Sequence, residues 1–271
     1  MNPGEAHLQK PGFVLLVIMI GLPAVIDAGP TQSESCTLPP RHAGMTFPVE
    51  EVASPWACRL QPIMSNYTTT NKIGPIRTPM PEEVYFYLLD HPSMAAALVN
   101  RLDLGLYKAA MLGPGRFWGN DGEGTEGVVE LVYEDRATRM YYLEGSHDGT
   151  LLPQVTGKAV VLLNIRPVKE SNGANAIETT VVSYTQLNSR ILSGILSLIR
   201  PLLGRVVIGR FMKGFATADR LSQVMREDPD RVLFEATDPP SLPDEEVAFL
   251  KQALPNLRDA DRLIEATAPS R

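Results

Sequence analysis

The residues that could do acid–base chemistry are few. Four histidines, His7, His42, His91 and His147, carry the side chains whose ordinary titration lies near neutral pH. His147 stands in GSHDG at a strand end. There it could act as a general acid or base at a cavity mouth if Asp148 or Glu144 tunes it. The plainer reading is a turn histidine in solvent. His91, in DHP, is placed to bound a helix, and His7 lies in the N-terminal leader. Glu130 and Glu144 are the carboxylates to weigh as alternatives to His147. No HExxH, GxSxG, P-loop or dinucleotide-binding pattern is present, so no catalytic set, metal or cofactor is expected. Arg116 and Arg139 could anchor a carboxylate or phosphate head group; exposed strand-end arginines are the other reading. Cys36 and Cys58 are the only cysteines. In an oxidising compartment two such thiols tend to pair. The alternatives are two idle thiols, or a metal site with His42 that would have three clear ligands where four are usual.

The aromatic residues say more. Tyr107, Phe117, Trp118, Tyr133, Tyr141, Tyr142 and Tyr184 fall on strand patterns. Side chains alternate across a sheet, so Tyr141 and Leu143 share one face and Tyr142 takes the other. By the same alternation Leu131 and Tyr133 share a face. A pocket lined by Tyr107, Trp118, Leu131, Tyr133, Tyr141 and Leu143 would suit an apolar ligand with one or two polar anchors. The anchor candidates are Arg116, Arg139 and His147.

The elements that must position these residues follow in a consistent order. Residues 67–73, YTTTNKI, are β-branched and strand-like. Thr78, Pro81, Glu82 and Glu83 then suit a helix start, and Pro92 divides the following segment into two short helices. Strand patterns over 106–112, 116–120, 125–134, 139–146, 158–168 and 176–184 are joined by short turns such as DGEG, EDRAT and SNGAN. Connections of that length build an antiparallel meander.

Residues 191–215, ILSGILSLIRPLLGRVVIGRFMKGF, raise the question of a membrane span. Arg200, Arg205, Arg210 and Lys213 interrupt the run, and each charge costs about 2.5–3.5 kcal/mol at a bilayer centre. Taken as a helix from Pro201, Leu203, Val207, Ile208, Phe211, Phe215, Ala218, Leu221 and Met225 fall within an arc of roughly 140°. Arg205, Arg210, Lys213 and Arg220 lie opposite. This helix should lie on a sheet, with Val207, Phe211 and Phe215 facing it. Asp228-Pro229 ends it, and a polar tail follows with one short helical segment over 243–254.

At PEEVYFYLLDHPSMAAALV the chain resembles the START-like and polyketide-cyclase-like superfamily, often called SRPBCC. GEGTEGVVELVYED, RMYYLEGSHDG and PQVTGKAVVLL are similar to its central strands, and RPLLGRVVIGRFMKGFATADRLSQVMREDP to its closing helix. The resemblance covers about residues 66–232. It implies an α+β helix-grip fold: a curved antiparallel β-sheet wrapped around a long C-terminal α-helix, with two short helices after the first strand. It also implies a cavity for lipids, sterols, polyketides or other apolar molecules. No catalytic residues are common to the superfamily, so the resemblance assigns none here.

The chain of 271 residues has a formal net charge of −6, which argues against a nucleic-acid partner. Residues 1–28 read as a cleaved signal peptide: Lys10, then the apolar run FVLLVIMIGL, then Pro23 and a small residue at Ala28. An uncleaved N-terminal anchor is the alternative. Residues 29–65 read as a Pro-rich, extended lead-in, and 233–271 as a polar tail. The expected protein is secreted or periplasmic. It is a carrier or sensor of an apolar small molecule or lipid, with possible peripheral membrane contact. A cyclase- or hydrolase-type enzyme and a ligand-free domain binding a protein or membrane surface are the competing expectations.

Overall fold

The structure is a computed structural model that describes residues 36–149, 152–188 and 196–267. The expected signal peptide therefore lies outside the described residues. The elements run β1 (Arg41–His42), β2 (Met45–Thr46), α1 (Ser54–Ser65), β3 (Thr69–Thr78), α2 (Glu82–Asp90), α3 (Pro92–Arg101), β4 (Lys108–Gly113), β5 (Arg116–Asn120), β6 (Thr125–Glu134), β7 (Thr138–Gly149), β8 (Leu152–Lys169), β9 (Asn175–Asn188), α4 (Leu196–Glu227), α5 (Pro229–Thr237) and α6 (Asp244–Thr267).

β3–β9 form one antiparallel sheet in the order β3-β9-β8-β7-β6-β5-β4. The meander β4–β9 keeps sequence order, and β3 joins its far edge beside β9. Helices α2 and α3 fill the crossover from β3 to β4, and α4 packs along β3. A seven-stranded antiparallel sheet closed by one long helix is the helix-grip architecture. Among the described residues no helix is long and apolar enough to cross a membrane.

Antiparallel register sorts the sheet into two faces. On the concave face Tyr141, Val161, Leu163, Ile165, Ile177, Val181 and Ile73 pack with Val84, Met94 and Leu98 of α2 and α3 and with Leu221 and Met225 of α4. Helices α5 and α6 complete this core through Val232, Leu250 and Leu254, with Phe249 stacked on Tyr87 at 3.5 Å. The tail thus holds two helices where one short segment was expected. Their apolar residues recur at helical spacing, so they bury a face instead of trailing in solvent.

The convex face is covered too, and its cover comes from the lead-in. Met140, Tyr142, Val160, Leu162 and Val182 pack under Phe47, Val49, Val52, Leu60, Ile63 and Met64. The extended lead-in expected over 29–65 is corrected here: α1 occupies Ser54–Ser65. Pro55 falls at the start of α1, where its missing N–H is no loss, whereas Pro62 lies inside the helix. Trp56, Leu60, Ile63 and Met64 supply the apolar stripe that outweighs it. The Cys36–Cys58 disulfide, spanning 22 residues, ties α1 to the start of the described chain. It also answers the question of a metal site, because the two thiols are joined to each other.

His42 is sealed in this cover. Its Nδ1 lies 3.0 Å from the Tyr184 hydroxyl and its ring packs against Phe47. Burial pushes its pKa below the ordinary value, against an opposing hydrogen bond to the Pro39 backbone. The unfolded chain then binds the proton first as pH falls, so stability is lost below about pH 6.5. Denaturant titrations at about pH 7.5 and 5.5 should show this loss, and His42→Phe should flatten it. An equal pH dependence in both proteins would mean that His42 is not the titrating group.

Candidate functional site

One row of concave-face residues crosses all seven strands. Paired partner to partner it reads Met111, Phe117, Val129, Leu143, Ala159, Thr185 and Thr69. Met111 is exposed, the next five are half-buried, and Thr69 is buried. A neighbouring row reads Leu131, Tyr141, Val161, Ser183 and Asn71. Solvent therefore reaches the apolar floor from the β4 edge and is excluded at the β3 end. Phe211 and Phe215 of α4 pack against this floor, and Val207 is half-buried one turn before Phe211. Ile208, expected on the same stripe, is exposed. α4 begins at Leu196, so Pro201 lies within the helix and does not start it.

The β5–β6 turn grips the other side of α4. Arg210 ion-pairs with Asp121 at 2.9 Å and with Glu123, and Lys213 pairs with Glu123. Both cations were expected on a purely wet face. They instead reach back to the rim of the sheet. Lys213 holds the Glu123 carboxyl below its ordinary pKa, and Arg210 adds to this. Burial works to raise Asp121, but the N–H groups of Thr125 and Glu123 outweigh it and its pKa is lowered.

The structure separates the sequence candidates by face. Tyr107, Leu131, Tyr141 and Leu143 lie with the concave cluster. Trp118 does not: it pairs with Val128, whose partner Glu144 bonds Tyr142 on the convex side. Phe117 takes the concave position instead. Leu131 and Tyr133 do not share a face. A bulge pairs Leu131 with Tyr141 but Tyr133 with Met140, and the extra residue sends Tyr133 to the convex side. Its hydroxyl there donates to Asp135 at 3.0 Å.

The expected polar anchors are otherwise engaged. Arg116 is on the convex face, 3.7 Å from Glu130, and so is Glu130 itself. Arg139 is on the concave side, only 5% exposed, clamped by Asp90 and by Glu134 at 3.2 Å over the Phe86 ring. Burial opposes its charge, but the Asp90 hydrogen bond prevails and holds its pKa above the ordinary value. Two carboxylates already neutralise this guanidinium, so it offers little to an anionic guest. A shallow open depression of about 400 Å³ beside it is lined by Glu82, Phe86, Glu134, Asp135, Arg136 and Arg139.

His147 ends the concave side of β7, with Nδ1 3.0 Å from Thr125 Oγ1. Glu144 points to the convex face, toward Tyr142, Arg59 and Lys158, so it cannot tune His147. Asp148 is exposed, and neither carboxylate hydrogen-bonds the imidazole among the described residues. Burial raises the pKa of Tyr141 and of Tyr85, so both phenols keep their protons. Among the described residues the arrangement contains no paired acid and base.

No family model matches the chain, and no curated protein matches it. Solved structures with a similar course of the chain include a conserved protein from Geobacillus kaustophilus, at 10% identity and TM-score 0.41 over 57% of this chain and 95% of that one. Norcoclaurine synthase from Thalictrum flavum is similar at 14% identity and TM-score 0.37, over 57% and 87% of the two chains. The di-domain ARO/CYC BexL is similar at 16% identity and TM-score 0.37, over 61% and 54%. The architecture stands on this chain's own strand order and helix placement.

Proposed function

We propose that this protein is an exported, non-catalytic carrier or sensor that holds an apolar small molecule or lipid between the concave face and α4. The half-buried apolar floor from Phe117 to Leu143, facing Phe211 and Phe215, carries this reading. A sheet sealed by its helix would bury those side chains outright. The Cys36–Cys58 disulfide and the leader at residues 1–28 support an oxidising compartment outside the cytoplasm. Organic extraction of the purified protein followed by mass spectrometry should recover an apolar compound. Recovery of nothing, together with failure to bind a neutral naphthalene dye, would remove the carrier reading.

The Asp121–Glu123 turn acts as the latch on α4. Glu123→Gln should speed release of bound dye by roughly two- to fivefold. Added salt should narrow the difference from wild type, because surface ion pairs are screened. Equal release rates at low and high salt would show that the turn does not gate the groove. Peripheral membrane contact during loading is supported by Met111 and Leu112, 46% and 49% exposed at the apolar entrance.

A further inference from the structure

The β3 end of the concave face is polar, and its side chains are not paired with one another. Thr69 Oγ1, Asn71 Nδ2 and Ser183 Oγ are buried with no hydrogen bond among the described residues. Thr69 is 7% exposed and Ser183 is 1% exposed. Asn71 pairs with Ser183 across β3 and β9, and Thr69 stands two residues before Asn71, on the same face. All three continue the concave rows that begin at Met111 and Leu131. Above them α4 comes close: a Cβ on Gly204 would stand 3.4 Å from Asn71 Oδ1. Native proteins rarely leave several buried polar atoms unpaired side by side, and such a group calls for an explanation.

We propose that Thr69, Asn71 and Ser183 are the head-group end of the groove. They select an apolar guest bearing a neutral hydroxyl or carbonyl over one bearing a carboxylate or phosphate. The inference rests on the carrier reading above and deepens it. The two hydroxyls can each donate and accept and the amide N–H donates, which suits a hydroxyl and suits a carbonyl nearly as well. An anion buried there would need a cation. The strand positions around the trio, Ile73, Val161, Val181 and Thr185, are uncharged. The guanidinium on the same face, that of Arg139, is already held by Asp90 and Glu134. Arg210 and Lys213 are held by Asp121 and Glu123. The guest would therefore enter head first from the β4 edge, its apolar body lying on Val129 and Leu143 under Phe211 and Phe215.

Competition for the bound neutral naphthalene dye tests this with decanol, decanoate and hexylbenzene, at about pH 8 where decanoate is ionised. Decanol should displace the dye at a concentration roughly tenfold below decanoate. Thr69→Val and Ser183→Ala, which change little volume, should each weaken decanol by roughly three- to tenfold and leave hexylbenzene unchanged. Thermal unfolding of both variants checks that they are folded, and the wild-type ranking of the three probes needs no variant. Decanoate binding as well as decanol, or variants that shift decanol and hexylbenzene alike, would overturn the head-group assignment while leaving the carrier reading in place. Failure of the dye and of all three probes to bind would overturn both.

Discussion

Cys58→Ser is expected to lower the stability of the fold by about 3 kcal/mol, the loop-closure entropy released when a bridge of this span is opened. The bridge closes a separation of 22 residues. What makes it matter is where it closes. α1 is 12 residues long, with Pro62 inside it, and a helix of that length is marginal by itself. It persists because Leu60 and Ile63 are buried against Tyr142, Val160 and Leu162 on the convex face. Opening the bridge leaves those contacts possible but no longer prepaid in chain entropy. Thermal unfolding should move down by roughly 6–12 °C. Wild type in reductant should match the variant. Dye binding should survive in both at low temperature, because the groove is on the opposite face of the sheet. A loss below about 1 kcal/mol would show that apolar packing alone fixes the cover.

Much of this architecture is legible in the amino-acid order, and the parts that are not have definite physical causes. The meander reads clearly because alternation is local: residues 125–134 are expected as a strand and β6 is Thr125–Glu134. The stripe Phe211, Phe215, Leu221 and Met225 reads clearly because a 3.6-residue period is local too. A bulge is different. Val132 breaks the two-residue period without any turn residue to announce it, so Tyr133 moves to the convex face unseen. Trp118 is misplaced for a related reason. Strand β5 has five residues, and its facing is set by its partner β6 and not by any pattern of its own. Arg139 finds Asp90 across 49 residues of sequence, a pairing that only the crossover through α2 creates. α1 had a readable signal in Trp56, Leu60, Ile63 and Met64, spaced as one helix face, but two prolines masked it. The buried polar trio had none, since Thr69, Asn71 and Ser183 look like ordinary strand polar residues until α4 covers them.

The largest single-residue effect on the groove itself is expected from Gly145→Ala. Gly119, Gly127, Gly145 and Gly157 are paired in one line across β5, β6, β7 and β8, on the concave side next to the apolar row. At Gly145 a Cβ would stand 2.3 Å from Glu126 O and 2.9 Å from Gly127 Cα. At Gly127 it would stand 2.7 Å from Gly145 Cα. The obstacles are backbone atoms, which cannot swing aside as a side-chain tip can. Adding one methyl must therefore push β6 and β7 apart. Overpacking of this kind costs roughly 1–3 kcal/mol. If the sheet relaxes by flattening, the packing of Phe211 and Phe215 on the apolar floor loosens and dye affinity falls with stability. Gly119→Ala provides the control within the same line, since the nearest atom to its added Cβ is 3.9 Å away. It should cost less than about 0.5 kcal/mol, as a strand residue gaining a methyl in open space. Equal losses in the two variants would mean that the glycine line reflects something other than close backbone approach.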